Sequence, residues 1–245
     1  VQPYPQRDQC RHSPYLPVIE PCRNPNECGS LSPGCPTFFK CEKTCASTTD
    51  LYEDVLKCPG EKRLPGTRAY GFFTPRRFLT KFAEPQKEGA ASLKDYLVIK
   101  DNHTLQADKV WYKVAFITDK SSFSPEAQGE HGCKTMNLKA TLILPGTEEE
   151  ASALASILLN DDCIFMVPER NGKLRQFGDE TFEVDVTPSQ SSGAGIADET
   201  NTTLEISVSC ETMPPFYYGT LTTAEGTISG KDCKPVEVSS GTDSH

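Results

Sequence analysis

The sequence predicts a mainly β protein: a β-sandwich or half-barrel with one flanking α-helix at about residues 147–160, preceded by an extended N-terminal arm rich in Cys and Pro. Apolar and polar residues alternate with a period of two in several segments, most cleanly at 136–144 and 204–208. Nineteen Pro and seventeen Gly among 245 residues are typical of a chain with many turns. Only one segment has strong helical periodicity, so we expect a sheet domain with a single helix on one face.

The predicted helix begins at a capping-box pattern. Thr147 and Glu150 have the spacing at which a Thr oxygen accepts from the N–H three residues on, while the Glu side chain returns to the Thr amide. Glu148 and Glu149 add negative charge at the positive end of the helix dipole. An apolar stripe follows at spacings of three and four, formed by Ala151, Leu154, Ala155 and Leu158. The helix is expected to end near Asn160.

Composition predicts three regions: an extended arm at 1–68, a β domain with one helix at 69–218, and a Ser/Thr/Gly-rich tail at 219–245. Eight prolines fall within the first 45 residues, which show no apolar period. Because Pro fixes φ and removes a backbone donor, this arm is expected to lie along a surface and not to form central strands. The tail has only a weak strand signal.

Before the helix, strands are predicted at 69–73, 76–82, 93–100, 109–118 and 136–144. Segment 109–118 is the clearest predicted strand, and both of its faces carry large residues. This pattern predicts burial on both sides, by the core of the sheet itself and by a neighbouring subunit or layer. Residues 84–92 are expected to form a flexible loop, and 119–132 a long polar loop of the kind that is often functional or interfacial.

After the helix, strands are predicted at 163–167, 174–177, 182–186 and 204–208. The nearly continuous apolar run at 163–167 is typical of a central strand. Asn171 and Gly172 predict a hairpin with a type I′ turn, since both residue types accept positive φ. The Ser/Gly-rich segment 188–200 is expected to be a mobile loop, and residues 214–219 are expected to close the domain.

The net charge of −9 is distributed unevenly. Residues 1–87 carry 13 Lys/Arg and 9 Asp/Glu, a balance of +4, whereas residues 88–245 carry 12 and 25, a balance of −13. An acidic surface repels phosphates, so tight or sequence-reading nucleic-acid binding by the β domain is disfavoured. The alternative is that the acidity serves only solubility.

Eleven cysteines are present, and their clustering in the Pro-rich arm favours disulfides in an oxidising setting. Zinc binding is an alternative, because Cys41 and Cys45 have a permitted ligand spacing, but no C-x-x-C pair accompanies them. Buried reduced thiols are the third interpretation. An odd number leaves at least one thiol unpaired in a monomer. The candidate disulfide cysteines are Cys10, Cys22, Cys28, Cys35, Cys41, Cys45 and Cys58.

No residue pattern predicts an enzyme, a cofactor or a metal site. The four histidines lie in no zinc, nucleophile or phosphate-loop motif. The carboxylate pairs 161–162 and 179–180 have calcium-ligand chemistry but are more typical of solvated turns. Asn102 and Asn201 begin glycosylation acceptor patterns, which also arise by chance. No apolar run approaches the ~20 residues of a membrane helix, so no membrane partner is expected.

Several short segments carry a resemblance to a known family. They are LKCPG at 56–60, LPGTR at 64–68, the strand at 112–117, LPGTEEEA at 144–151, RNGKLR at 170–175, TLEISV at 203–208 and PPFY at 214–217. Together they cover most of residues 56–218, and the chain resembles virion structural proteins of phages that infect Bacteroidetes, of the kind usually assigned as tail tube subunits. The seven-cysteine arm departs from that pattern.

The resemblance implies a structural subunit that self-assembles. The sheets of neighbouring subunits would join in a hexameric ring, and stacked rings would form a tube through which DNA passes as non-specific cargo. The implied partners are further copies of the chain and other virion proteins, in a virion tail assembled in the host bacterial cytoplasm. An acidic lumen would let DNA pass without sticking, and the cysteines of the arm would staple it after release.

A second function class explains the cysteines and the acceptor patterns more directly. It is a secreted, disulfide-rich recognition or adhesion protein with glycans at Asn102 and Asn201. This alternative does not account for the matching β segments.

Overall fold

The computed structural model describes residues 51–56, 58–87 and 89–236, and in these residues the protein is mainly β with a single α-helix, as predicted. Most of the predicted arm lies outside the described residues. The same holds for six of its candidate disulfide cysteines, Cys10, Cys22, Cys28, Cys35, Cys41 and Cys45.

The described residues form fourteen strands and one helix, together with two single turns of 3-10 helix at Arg76–Phe78 and Asp95–Leu97. The elements are β1 (Tyr70–Pro75), β2 (Leu79–Lys81), β3 (Val98–Ile99), β4 (Thr104–Leu105), β5 (Tyr112–Ala115), β6 (Ser122–Gln128), β7 (Thr135–Pro145), α1 (Glu149–Leu158), β8 (Cys163–Pro168), β9 (Leu174–Phe177), β10 (Asp185–Ser191), β11 (Asn201–Cys210), β12 (Phe216–Tyr217), β13 (Thr220–Thr223) and β14 (Gly226–Ser229).

Two sheets pack face to face as a β-sandwich. The larger has six strands in the order β3-β12-β9-β8-β1-β5, and the smaller has four in the order β10-β11-β7-β6. One corner joins them, where the Ile117 amide, just past β5, donates to the Ile143 carbonyl of β7 at 2.7 Å. Two short pairs, β2–β4 and β13–β14, complete the fold.

The first core lies between the two sheets. Strands β7 and β11 turn alternate side chains inward, including Leu142 and Ile206, while β8 and β9 contribute Phe165 and Phe177 from the other sheet. Phe123 of β6 meets Phe177 edge to face, with ring centroids 5.7 Å apart. The period-two pattern of the sequence therefore marks the sheet-to-sheet interface.

A second core covers the opposite face of the six-stranded sheet. Ile164 and Met166 of β8 pack there with Trp111 and Tyr217, and the β13–β14 hairpin covers them with the fully buried Leu221. Every residue of β8 is buried, because this strand has a core on each side. The prediction that the apolar run at 163–167 is a central strand is confirmed, and its physical reason is two-sided burial.

The helix is present, but its predicted cap is wrong. Glu148 is the N-cap, no side-chain cap bond forms, and Ser152 donates instead to the Thr147 carbonyl at 3.1 Å. The helix starts one residue later than the capping box requires, so Glu150 is at the second helical position and cannot reciprocate Thr147. Ala155 and Leu158 bury against the first core. Among the described residues, no helix is long and apolar enough to cross a membrane.

Several predicted loops and strands differ from the structure at the polar edges of the sheets. The polar loop at 119–132 contains the seven-residue strand β6, and the mobile loop expected from 188 begins only after β10 ends at Ser191. Segment 93–100 is a 3-10 turn followed by the two-residue β3. An edge strand keeps one face and one edge in solvent, so its composition resembles that of a loop.

The strand predicted at 109–118 is shorter than expected and is not buried on both sides within one subunit. Only residues 112–115 form β5, at the edge of the six-stranded sheet, and Tyr112 is 40% exposed. Trp111 lies just before the strand and is buried in the second core. Phe116 lies just after it and is buried in the first core.

The Asn-Gly hairpin forms between β8 and β9, but the turn is not type I′. Only Gly172 has positive φ, at 97°, and its amide donates to the Glu169 carbonyl at 2.8 Å. A three-residue loop with glycine in the left-handed region fits this geometry. A Cβ at Gly172 would lie 2.8 Å from the Asp232 carbonyl oxygen.

Both ends of the predicted β domain extend further than expected. Upstream, the Arg68 amide donates to the Pro168 carbonyl at 3.0 Å and Thr67 is fully buried, so residues 66–68 of the predicted arm are anchored on the β8–β9 hairpin. Downstream, the tail predicted from 219 contributes β13 and β14 to the second core. The strand signal of the tail is weak because β13 and β14 are short and mostly Thr, Ser and Gly, with Leu221 as their one fully buried apolar side chain.

One stability prediction concerns Thr74, which is fully buried in β1. Its hydroxyl has no hydrogen-bond partner among the described residues. Replacing Thr74 by the nearly isosteric Val removes an unsatisfied polar atom, so Thr74→Val should raise the free energy of unfolding by about 1 kcal/mol. Urea denaturation measures the change, and Thr187→Val on the exposed side of β10 is the control. A destabilised T74V protein would contradict the prediction.

Candidate functional site

The cysteines of the described β domain form a reduced set, and no disulfide joins any two of Cys58, Cys133, Cys163, Cys210 and Cys233. Cys58 and Cys133 are exposed, and the other three are buried. Burial, reinforced by neighbouring carboxylates, raises the pKa of Cys163 and of Cys210 to about 12 and that of Cys233 to about 11. These three thiols therefore stay protonated and unreactive at neutral pH.

The carboxylate pairs considered for calcium have structural partners. Asp161 pairs with Arg77, and Asp162 pairs with Arg76 at 3.2 Å. Asp179 accepts from two backbone amides of the turn that follows it, at 2.8 and 2.7 Å. Within the described part of the chain, no group of three or more potential metal ligands comes together.

His103 lies in the second core and was not singled out by the sequence. Its Nδ1 accepts from the Ala83 amide at 3.0 Å, so its Nε2–H donates to the Gln176 side chain at 2.9 Å. The ring stacks on Tyr217, 4.9 Å away and nearly parallel. Burial lowers the pKa of His103 to about 4. A neutral, doubly hydrogen-bonded imidazole ties β9 and β12 to the connection before β4, and this role is structural.

A cavity of about 230 Å³ lies beside this network, lined by side chains that include Phe182, Gln176, Asp179 and Cys210. Two of its polar side chains have partners within the fold: Gln176 donates to the Gly178 carbonyl, and Asp179 accepts from two turn amides. The one thiol on its wall has a raised pKa.

The two glycosylation acceptor sites are in different environments. Asn102 is exposed, and its side-chain oxygen accepts from the Thr220 amide at 2.7 Å. Asn201 is half-buried as the first residue of β11, between Pro145 of β7 and Ser191 of β10. Asn102 is the more accessible of the two.

The outer face of the four-stranded sheet is open, and we call it the hydroxyl face. No described element covers it, whereas the six-stranded sheet has a core on each side. Outward positions alternate with the buried ones along β6, β7, β10 and β11. Ten of them are Ser or Thr: Ser122, Ser124, Thr135, Thr141, Thr187, Ser189, Ser191, Thr203, Ser207 and Ser209.

The hydroxyl face carries little charge, and that charge is mostly negative. Its only cation is Lys139, which pairs with Glu126 at 3.0 Å, while Glu205 and Asp185 add two further carboxylates. A polar face without an unpaired cation gives phosphate no strong partner. The signal for this face was present in the sequence as Ser and Thr at alternate positions, but only the pairing register shows that four strands share it.

The edges of this sheet are partly blocked by proline. Pro125 lies in β6 and Pro188 in β10, and each removes a backbone donor from an edge strand. The residues before each proline, 122–124 and 185–187, keep their donors. Strand register places these two short segments at the same height on opposite edges. Ser122 of β6 pairs with Thr141 of β7, Thr141 pairs with Glu205 of β11, and Glu205 pairs with Thr187 of β10.

Comparison with known proteins identifies no relative. No protein-family model matches the chain, no curated protein matches it, and no solved structure matches its fold.

The first prediction from this site concerns pH. Between pH about 6.5 and 4 the unfolded state binds a proton at His103 and the folded state does not, so the free energy of unfolding falls as pH falls through this range. The expected loss is about 3 kcal/mol. His103→Gln should remove it, as measured by urea denaturation from pH 7.5 to 4. His131→Gln, in an exposed turn, should keep the wild-type dependence; an unchanged slope in H103Q would refute the assignment.

The second prediction concerns thiol accessibility. In the native protein at pH 8, iodoacetamide should modify Cys133, whereas Cys163, Cys210 and Cys233 should react only after denaturation, since burial keeps them protonated. Peptide mass spectrometry before and after urea treatment reports each site separately. Native-state modification of Cys210 at the rate of Cys133 would contradict the structure.

Proposed function

We propose that this chain is a structural subunit of a phage virion, a tail tube protein that assembles into stacked rings and forms a conduit for DNA. The observation that carries the proposal is the hydroxyl face: a single open sheet face, broad, polar and without an unpaired cation among the described residues. A surface of this chemistry suits the lining of a DNA channel.

The architecture supports an orientation of the subunit in which the hydroxyl face lines the channel. The six-stranded sheet is covered on both faces, so within the described chain the four-stranded sheet alone offers a face to a lumen. Its two edges, β6 and β10, are the strands through which neighbouring copies would continue the sheet around a ring. In such a ring the hydroxyl faces would form a continuous inner wall.

The electrostatics of the face suit passing cargo. Tight binding to DNA requires Lys or Arg side chains that replace the counterions of the phosphates. The face offers one lysine, already paired with Glu126, and an excess of carboxylates. DNA in contact with this wall would be repelled weakly and would not be held at any point.

The buried thiols favour folding in a reducing compartment. The buried residues Cys163, Cys210 and Cys233 are not disulfide-bonded to one another. Buried cysteines without disulfides are typical of proteins that fold in a cytosol. We therefore place assembly in the host bacterial cytoplasm, before release of the virion.

The alternative is a secreted recognition or adhesion protein, and the exposure of Asn102 is the observation that favours it. It predicts a glycan at Asn102 when the protein is secreted from a eukaryotic cell. An intact mass equal to that of the bare polypeptide would remove this support.

The test of the proposed function is assembly of the purified chain. Negative-stain electron microscopy should show rings or tubes about 100 Å wide, the size that a closed ring of subunits of this mass requires. Imaging with and without reductant separates assembly by the β domain from stapling by the arm: tubes lost on reduction depend on cysteines. Particles of 26.9 kDa alone in both conditions would overturn the proposal.

A further inference from the structure

A groove of about 1050 Å³ lies at the β6 edge of the sandwich. Residues 61–67 form one wall, the β8–β9 hairpin forms another, and Ser122 and Phe123 of β6 lie at its base. We call it the basic groove, because its lining has four cations, Lys62, Arg63, Lys173 and Arg175, against Glu61 and Glu169.

Two of the four cations in the basic groove are available to a partner. Arg175 pairs with Glu169 at 2.8 Å and covers the ring of Phe216, and Arg63 pairs with Glu61 at 3.5 Å. Lys62 and Lys173 have no carboxylate partner among the residues that the structure describes, and Lys173 Nζ lies 5.5 Å from the centroid of the Phe216 ring. Leu64, at 56%, and Val55, at 83%, expose apolar side chains on the same groove. Positive charge and unburied apolar surface thus occur together.

A smaller groove of about 220 Å³ lies at the opposite, β10 edge. We call it the acidic helix end, because the C-terminus of α1 and the start of β10 form it with Leu159, Asp161, Asp162, Glu183 and Asp185. Asp161 and Asp162 pair with arginines. In the described chain, Glu183 and Asp185 have no cationic partner. Leu159 is 54% exposed, and Ile157 of α1 is 61% exposed.

We propose that the basic groove of one copy binds the acidic helix end of the next copy. The inference rests on the proposed function and specifies its subunit contact. Each surface has two unpaired charges of one sign. Leu64 and Val55 add exposed aliphatic surface to the basic groove and Leu159 adds it to the acidic helix end, so the two are complementary in charge and both have apolar surface. Neither surface is complementary to itself, because like charges would face each other.

The strand register supports the same pairing. The basic groove contains Ser122 and the acidic helix end contains Asp185, and these residues begin the edge segments that precede Pro125 and Pro188. Ser122 aligns across the sheet with Thr187, two residues from Asp185. Docking one edge against the other therefore brings both grooves together at one height and continues the hydroxyl face.

Contact between two different surfaces has a consequence for symmetry. A head-to-tail interface uses each surface once per subunit, and it closes into a ring when the rotation between copies allows. A self-complementary dimer is disfavoured by repulsion at both surfaces. The subunit is thereby directional around the ring.

Charge reversal tests the contact. The groove variant Lys62→Glu/Lys173→Glu and the helix-end variant Glu183→Lys/Asp185→Lys should each weaken assembly about 100-fold, measured as the subunit concentration at which rings appear, because like charges then meet. The matched controls, Lys134→Glu/Lys231→Glu and Glu130→Lys/Glu180→Lys, change the charge equally at exposed sites outside both grooves and should assemble as wild type.

Mixing the two test variants separates the contact from misfolding and from net charge. In a 1:1 mixture the reversed, negative groove of one variant meets the reversed, positive helix end of the other. The unchanged groove of the second variant meets the unchanged helix end of the first, so rings with alternating subunits should return. If both variants form rings at the same subunit concentration as the wild type, the head-to-tail contact is overturned and the proposed function stands. The same holds if the two variants stay dispersed when mixed. A wild-type chain that never assembles would overturn the proposed function itself.

Discussion

Burial of the six-stranded sheet on both faces is the constraint on which the rest of the structure depends. Its central strand β8 has a core on each side, so the β domain needs a layer on each face of that sheet. The four-stranded sheet and α1 supply one layer, and the β2–β4 and β13–β14 pairs supply the other. The His103–Gln176 bond holds the second layer in place from within.

That arrangement decides which surface is free to act. Because the six-stranded sheet is enclosed, the outer face of the four-stranded sheet is the only broad sheet surface that the described chain leaves open. Its Ser and Thr side chains make this face polar but add no positive charge that would bind phosphate. The buried cysteines, the paired aspartates and the buried histidine are all engaged in the fold. The proposed function therefore rests on surfaces and edges of the described chain.

The two edges of the open sheet are chemically different, and the proposed head-to-tail contact depends on this asymmetry. Proline restricts each edge to a short segment, and next to that segment lies a groove with charge and exposed aliphatic side chains. Edge strands that are exposed and unguarded risk uncontrolled pairing. Here proline shortens the exposed edge, and in the proposed contact charge would select the partner, so the same features would limit aggregation and specify assembly.

Local sequence patterns were enough to predict the elements that have a marked pattern of apolar residues. These are the alternating strands β7 and β11, the continuous apolar strand β8 and the single helix. Contacts distant in sequence determine the polar edge strands and the turn at Gly172. They also determine the position of the helix cap, which is Glu148 and not the predicted Thr147. The reason is that local periodicity reports which side of an element is buried, whereas edge pairing and cap register depend on partners distant in sequence. The hydroxyl face was visible as alternation in single strands, but only the pairing of four strands joined it into one surface.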